Sequence, residues 1–111
     1  MLKNDLEQFY GTEHYYSIPD KDIVLTDGVA YFTKKTNNLD LITHMIDIIS
    51  NSNEPFVTVD ITSSNSGIVV QYTDGNYNKI AEPEPYPTIY FDNGEYKFFC
   101  CDNVLMLASE Y

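Results

Sequence analysis

Two histidines and several aspartates are the residues of this chain whose types could support acid–base or metal chemistry. His44 follows Asp40 by four positions and precedes Asp47 by three, so the three side chains share one edge of a predicted helix. Flanking carboxylates favour a protonated imidazole or orient it as a metal ligand. A metal site of His14, Asp40, His44 and Asp47 would also need His14 nearby, and no spacing brings it there. The favoured interpretation is a solvated polar stripe with ordinary helical ion pairs.

Nucleophiles and phosphate-binding loops are less well supported. Cys100 and Cys101 are adjacent in an apolar segment, where neighbouring side chains point to opposite faces of a strand. We therefore expect reduced, inert thiols and not a disulfide or a zinc site. No serine stands in a G-x-S-x-G motif, and the isolated glycines form no phosphate loop. The sequence assembles no catalytic residues and implies no cofactor, so an enzyme is not the favoured interpretation.

Tyrosines and acidic residues are more informative. The chain has ten tyrosines and no tryptophan, and tyrosine is enriched in interface hot spots. We expect acid-rimmed tyrosines to form a binding surface in the second half of the chain, the alternative being rings at the edges of the core. The predicted binding residues are Tyr72, Asp74, Tyr77, Glu82, Glu84, Tyr86, Asp92 and Glu95. If their carboxylates lie along one edge, they would resemble a row of phosphates. Further tyrosines expected at the surface are Tyr10, Tyr15, Tyr16 and Tyr90.

The charge balance narrows the class of partner. Seventeen acidic residues and six lysines, with no arginine, give a net charge of −11 on 111 residues. Direct nucleic-acid binding and anionic membranes are disfavoured, because both need clustered basic side chains. A basic protein surface is the partner that this charge would attract, whereas the charge taken alone favours the interpretation that it serves only solubility. No secretory signal or membrane-spanning apolar run is present, so we expect a cytoplasmic protein.

The elements that must position these residues change in character along the chain. Apolar spacing predicts a helix over Leu2–Phe9, a helix capped by Thr26, and an apolar helix over Leu39–Ser50. After Pro55 the apolar residues recur at every second position, which is typical of β-strands. The expected strands are 56–61, 68–72, 88–91, 95–101 and 104–108, and the proline-rich segment 82–87 cannot be a central strand.

This pattern predicts one α+β domain over residues 1–111, mainly helical over 1–54 and mainly antiparallel strands over 55–111. We expect two or three helices packed on one face of an antiparallel sheet formed mainly by the C-terminal half. An exposed edge strand of that sheet could support a homodimer.

Four segments of the chain resemble a family of small proteins of unknown function found in bacteria, phages and mobile elements. Residues 9–16 are similar to its F-x-G-T-x-x-Y-Y motif, and residues 26–31 to its T-D-G-V-K-Y motif. Residues 45–49 resemble its L-I-D-x-I, and residues 105–111 its terminal L-L-P-S-E-Y. Asn37 and Asn38 stand where the family often has aromatic residues, and Ala108 where it has proline. The resemblance assigns no catalytic residue and implies a small cytosolic protein encoded by a phage or mobile element.

The favoured function is therefore a small, acidic, non-enzymatic interaction protein. It would bind and block a basic, nucleic-acid-handling host protein in the host cytoplasm, as a nucleic-acid mimic or anti-CRISPR-like inhibitor. One alternative is a small metal-binding protein or hydrolase that uses His14 and His44 with Asp40 and Asp47. Another is an assembly module whose charge has no binding role.

Overall fold

A computed structural model describes residues 2–111, which form three α-helices, seven β-strands and a C-terminal 3-10 helix. The helices are α1 (Leu2–Leu6), α2 (Asp27–Thr36) and α3 (Leu39–Ser52), and the 3-10 helix is Ala108–Glu110. The strands are β1 (Tyr15–Ser17), β2 (Val24–Thr26), β3 (Phe56–Ser64), β4 (Gly67–Asp74), β5 (Lys79–Tyr86), β6 (Gly94–Cys101) and β7 (Val104–Leu107). The predicted α+β class is confirmed. Met1, part of the predicted domain, lies outside the described residues.

The described strands form one sheet in the order β1-β2-β7-β6-β3-β4-β5. Neighbouring strands are antiparallel except β2 and β7, which pair in parallel through Val24 with Val104 and Leu25 with Leu105. The antiparallel sheet predicted for the second half of the chain thus forms as β3 to β7. The N-terminal half extends it by two short strands.

The helices pack on one face of this sheet, because the strand residues alternate between buried and exposed positions. In β3, Val57, Val59 and Ile61 are buried, and the residues between them are at least partly exposed. The ring of Phe32 in α2 lies against that of Phe98 in β6, with centroids 5.1 Å apart. The buried side chains of α3 are Leu41, Ile42, Met45, Ile46 and Ile49. No described helix has the length and hydrophobicity that crossing a bilayer requires.

The first predicted helix is shorter than expected, and the strand predicted over 88–91 does not form, whereas the predicted α3, β3 and β4 are each longer by a few residues. The helix predicted over 2–9 ends at Leu6, after which Phe9 N donates to the carbonyl of Leu6, three residues back. The strand predicted over 88–91 is wrong, because this segment is a loop. Side-chain hydroxyls bond the end of this loop: Ser63 Oγ donates to Phe91 O at 3.0 Å, and the hydroxyl of Tyr96 donates to the carbonyl of the next residue, Asp92, at 2.6 Å.

Both edges of the sheet hinder the addition of a further strand. β1 has three residues, which limits the hydrogen bonds that an incoming chain can form. β5 contains Pro83 and Pro85 and pairs with β4 through an irregular register. Its edge position agrees with the prediction that the proline-rich segment is not a central strand. Such edges are typical of proteins that avoid edge-to-edge association, so they do not favour a homodimer formed by strand pairing.

Gly67 should be required at the start of β4. Its φ is +100°, and a Cβ there would lie 2.3 Å from the carbonyl oxygen of Tyr86. We expect Gly67→Ala to lower the free energy of unfolding by about 2 kcal/mol or more, since both φ and the neighbouring backbone oppose a side chain. Gly11→Ala is the matched control, because nothing lies within 4 Å of a Cβ there. Urea denaturation measures the free energy of unfolding of both variants. Equal losses in Gly67→Ala and Gly11→Ala would contradict the requirement for glycine at position 67.

Candidate interaction surfaces

The residues predicted to bind a partner do not form one row. Val70 of β4 pairs with Glu84, which places Glu84 on the helix-covered face, whereas Glu95 precedes the buried Tyr96 and lies on the opposite face. Asp74 ends β4, and the remaining acids lie in β5 or in the loop before β6. The phosphate-like row is therefore wrong, because the two-residue period of a strand sends these carboxylates to both faces.

The predicted surface tyrosines divide into two groups. Tyr72 is fully buried, so its expected surface position is wrong. Its hydroxyl has no hydrogen-bond partner within residues 2–111, and burial, followed by nearby Tyr86 and Glu84, raises its pKa well above the usual value. Burial and Glu84 also raise the pKa of Tyr86, which is partly buried. The confirmed surface tyrosines are Tyr10, Tyr15, Tyr16, Tyr77 and Tyr90.

The two histidines lie in separate places, each beside a carboxylate that the sequence did not indicate. His44 Nε2 is 3.0 Å and 3.1 Å from the two oxygens of Glu84, and His14 Nδ1 is 3.7 Å from Asp27 Oδ1. Asp47 pairs with a lysine of the loop before β2. The four predicted metal ligands are therefore not brought together. Within residues 2–111, no three His, Cys, Asp or Glu side chains are grouped so that they could hold a metal ion.

The N-terminus of α2 is held by a carboxylate from the other end of the chain. Glu110 accepts hydrogen bonds from Thr26 Oγ1 at 2.6 Å, Gly28 N at 3.0 Å and Leu107 N at 2.9 Å. Thr26 is the N-cap, as predicted, and its side chain also accepts from Val29 N at 3.4 Å. A Cβ on Gly28 would lie 2.6 Å from Glu110 Oε1, so a side chain there would have to displace the carboxylate from this position. A negative charge here also complements the helix dipole.

A second carboxylate at the same helix start holds the segment before β1. Asp27 accepts from Glu13 N at 2.9 Å and from the Tyr16 hydroxyl at 2.9 Å, and its own N–H donates to Thr12 Oγ1 at 2.8 Å. The bond from Glu13 N, helped by the hydroxyls, lowers the pKa of Asp27. Three of the four motifs singled out in the sequence thus meet at one helix N-terminus. Because internal donors occupy both carboxylates, this cluster stabilises the fold.

A cleft not predicted from the sequence lies at the end of the sheet where β6 ends and β3 and β7 begin. This end cleft is lined by Ile23 and by residues 49–50, 53–55 and 100–103, and its volume is about 310 Å³. Its apolar lining includes Ile49 and Cys100, both buried, while Glu54 and Asp102 are exposed. Both cysteines are free thiols, and burial raises the pKa of Cys100 to about 12, so its thiol is neutral.

An aromatic cluster adjoins the end cleft on the face of the sheet that the helices leave uncovered. Phe56, Phe99 and Tyr111 have ring centroids 5.2 to 5.7 Å apart. Phe56 lies directly opposite Cys101 in the β3–β6 ladder, and Cys101 lines the cleft. Tyr111 is 74% exposed. The elements that form these surfaces are distant in sequence, so no local pattern could have indicated them.

Comparison with known proteins matches the chain to a family model. A model of a family of unknown function, DUF6876, matches residues 1–111. No curated protein and no solved structure matches the chain.

Glu110 should contribute substantially to stability. Glu110→Ala removes the acceptor for Gly28 N and Leu107 N, and we expect it to lower the free energy of unfolding by about 2 kcal/mol. Glu7→Ala, at an exposed glutamate, should change it by less than about 0.5 kcal/mol. Urea denaturation tests both, and an effect of Glu110→Ala no larger than that of Glu7→Ala would refute this role.

Asp27 should make stability fall at acidic pH. Because its folded pKa lies below the unfolded value, the carboxylate stabilises the fold above about pH 4, and this contribution is lost as pH falls through the lowered folded pKa. We expect the difference in unfolding free energy between the wild type and Asp27→Asn to be full at neutral pH and to narrow below about pH 4. Tyr16→Phe should keep most of the dependence, since the Glu13 N–H remains. A difference constant with pH in urea titrations would be inconsistent with this account.

Proposed function

The chain belongs to the DUF6876 family of unknown function, and we propose that it is a non-enzymatic interaction protein that docks onto a basic surface of another protein. In its concrete form, the proposal is an inhibitor encoded by a phage or mobile element. It binds a nucleic-acid-handling protein in the cytoplasm of a bacterial host, as an anti-CRISPR protein does, and blocks it.

The observation that carries this proposal is the number of carboxylates without a cationic neighbour. Five of the seventeen acidic residues lie within 4.0 Å of a lysine or histidine nitrogen, so twelve have no such partner within residues 2–111. The five are Asp27, Asp47, Asp60, Glu82 and Glu84. Uncompensated charge of one sign steers a partner of the opposite sign and raises its association rate.

Exposed aromatic rings supply the contact area that charge alone does not. Tyr15 and Tyr16 of the edge strand β1 are 61% and 44% exposed, and Tyr10, five residues before β1, is 84% exposed. Tyr111 belongs to the aromatic cluster on the uncovered face. Tyrosine buries a large area at low entropic cost and also pairs with cations, so these rings suit a lysine- and arginine-rich surface.

The positions of the acidic residues favour inhibition by covering a basic surface over inhibition by imitating a nucleic-acid strand. Since Glu84 and Glu95 lie on opposite faces, those acids do not imitate the spacing of a nucleic-acid strand. Inhibition would come from occupying the basic surface with aromatic contacts and with a field of one sign.

Affinity capture at two salt concentrations tests the proposed function. The tagged protein is incubated with nuclease-treated bacterial lysate at low and moderate salt, and retained proteins are identified by mass spectrometry. We expect a basic protein whose affinity falls about tenfold or more at the higher salt, and whose nucleic-acid binding is lost when the acidic protein is added.

The control separates net charge from other surface changes. A folded variant with Glu7→Gln, Glu13→Gln, Asp22→Asn and Asp40→Asn should bind more weakly, because each change removes an unpaired charge. A variant with Asn4→Ala, Asn51→Ala and Thr62→Ala keeps the net charge and should bind as the wild type does. If the captured protein binds equally well at both salt concentrations, and equally well to the variant that lacks the four acidic charges, the proposal is wrong.

A further inference from the structure

We propose that the end cleft receives a lysine or arginine side chain of the partner, whose methylene groups cover the apolar floor while its cation lies between Glu54 and Asp102. This inference rests on the proposed function, since it names the residue type by which a basic partner is recognised. The cleft, its rim and the helix that ends beside it each supply a separate argument.

The rim of the cleft contains two carboxylates, those of Glu54 and Asp102. Phe56 and Cys101 are opposite partners in the β3–β6 ladder. Glu54 lies two residues before Phe56 and Asp102 directly follows Cys101, and both residues are exposed and line the cleft. No lysine or histidine within residues 2–111 lies within 4.0 Å of either carboxylate. Val24 N donates to Asn103 O at 2.9 Å, which fixes the β6–β7 turn against β2. Charge complementarity at this rim therefore calls for a cation.

The end of α3 independently favours a positive charge at the same place. Ser50 and Asn53, from the last turn and C-cap of α3, line the cleft. The C-terminus of a helix carries partial negative charge on its unpaired carbonyls, which basic side chains usually complement. The last turn of α2 has Lys34 and Lys35, whereas the last turn of α3 has no basic residue. A cation from a partner would balance the partial negative charge at the C-terminus of α3.

The floor and size of the cleft select a cation on an apolar stem. The apolar part of the lining is formed by Ile23, Ile49 and Cys100, which are nearly fully buried, so the methylene groups of lysine or arginine would contact a small apolar area there. A volume of about 310 Å³ is at the small end for ligand pockets. A volume of this size accommodates one long side chain. A bare divalent cation is disfavoured, because no three metal-ligating side chains within residues 2–111 are grouped here.

Titration with short peptides tests the proposal on the full chain. The probes are acetyl-Gly-Arg-Gly-amide, its lysine counterpart, and a citrulline peptide that keeps the shape of arginine without its charge. We expect saturable amide chemical-shift changes in NMR spectra for both cationic peptides, concentrated at residues 49–55 and 100–103. The citrulline peptide should produce none. Equal shifts for citrulline, or no saturable shifts at these residues, would overturn the proposal.

Two charge-matched variants locate the binding. Glu54→Gln with Asp102→Asn should weaken peptide binding about fivefold or more, as expected from losing two solvent-accessible ion pairs. Glu7→Gln with Asp40→Asn changes the net charge equally, away from the cleft, and should leave binding within about twofold. If both double variants bind the peptides equally weakly, the effect comes from net charge, and the cleft is not the binding site.

The same variants separate this inference from the proposed function. If the Glu54→Gln, Asp102→Asn protein still captures a salt-sensitive basic partner with unchanged affinity, the cleft assignment is wrong while the proposed function stands. If the wild type binds the cationic peptides at the cleft but captures no basic protein, the proposed function fails and the cleft remains a site for cationic side chains. The citrulline comparison uses the wild type, so it does not depend on the variants folding.

Discussion

The two carboxylates at the N-terminus of α2 are the constraint on which the arrangement of this protein depends. β2 joins the C-terminal sheet through two residue pairs with β7, the one parallel pairing within residues 2–111, and so short a ladder adds few hydrogen bonds. Glu110 strengthens this junction by binding the start of α2 and the end of β7 together, and Asp27 adds the segment before β1. Polar motifs from both ends of the chain thus meet at the N-terminus of α2, and this structural role accounts for the residues found in them.

Local signals in the sequence were enough for the elements whose cause is local. Thr26 caps α2 because its side chain reaches a backbone N–H three residues on. The apolar pattern from Leu39 sets the start of α3, and the change to a period of two after Pro55 sets β3. The prolines of β5 confine it to an edge, since they lack the N–H that a central strand must donate. Each of these features depends on residues a few positions apart.

The site could not be predicted in the same way, because its contacts join residues far apart in sequence. His44 pairs with Glu84, forty positions away, and Thr26 meets Glu110 eighty-four positions away. Nothing in the composition near His44 distinguishes Glu84 from Asp40 or Asp47 as its partner. The alternation in β4 places Tyr72 on the same face as buried Val70, two residues earlier, and this local pattern is a better guide to its burial than the number of tyrosines in the chain.

The excess of unpaired carboxylates supplies a physical reason for binding a basic partner. Carboxylates without cationic neighbours repel one another and destabilise the compact state, and this chain carries twelve of them within residues 2–111. The N-terminus of α2 offsets part of that repulsion, because it gives Glu110, one of the twelve, internal donors. Under the proposed function, a basic partner supplies the missing cations and relieves the rest. Binding and stability would then be linked, because a partner that binds the folded chain alone also stabilises it. Charge that serves only solubility has no such link.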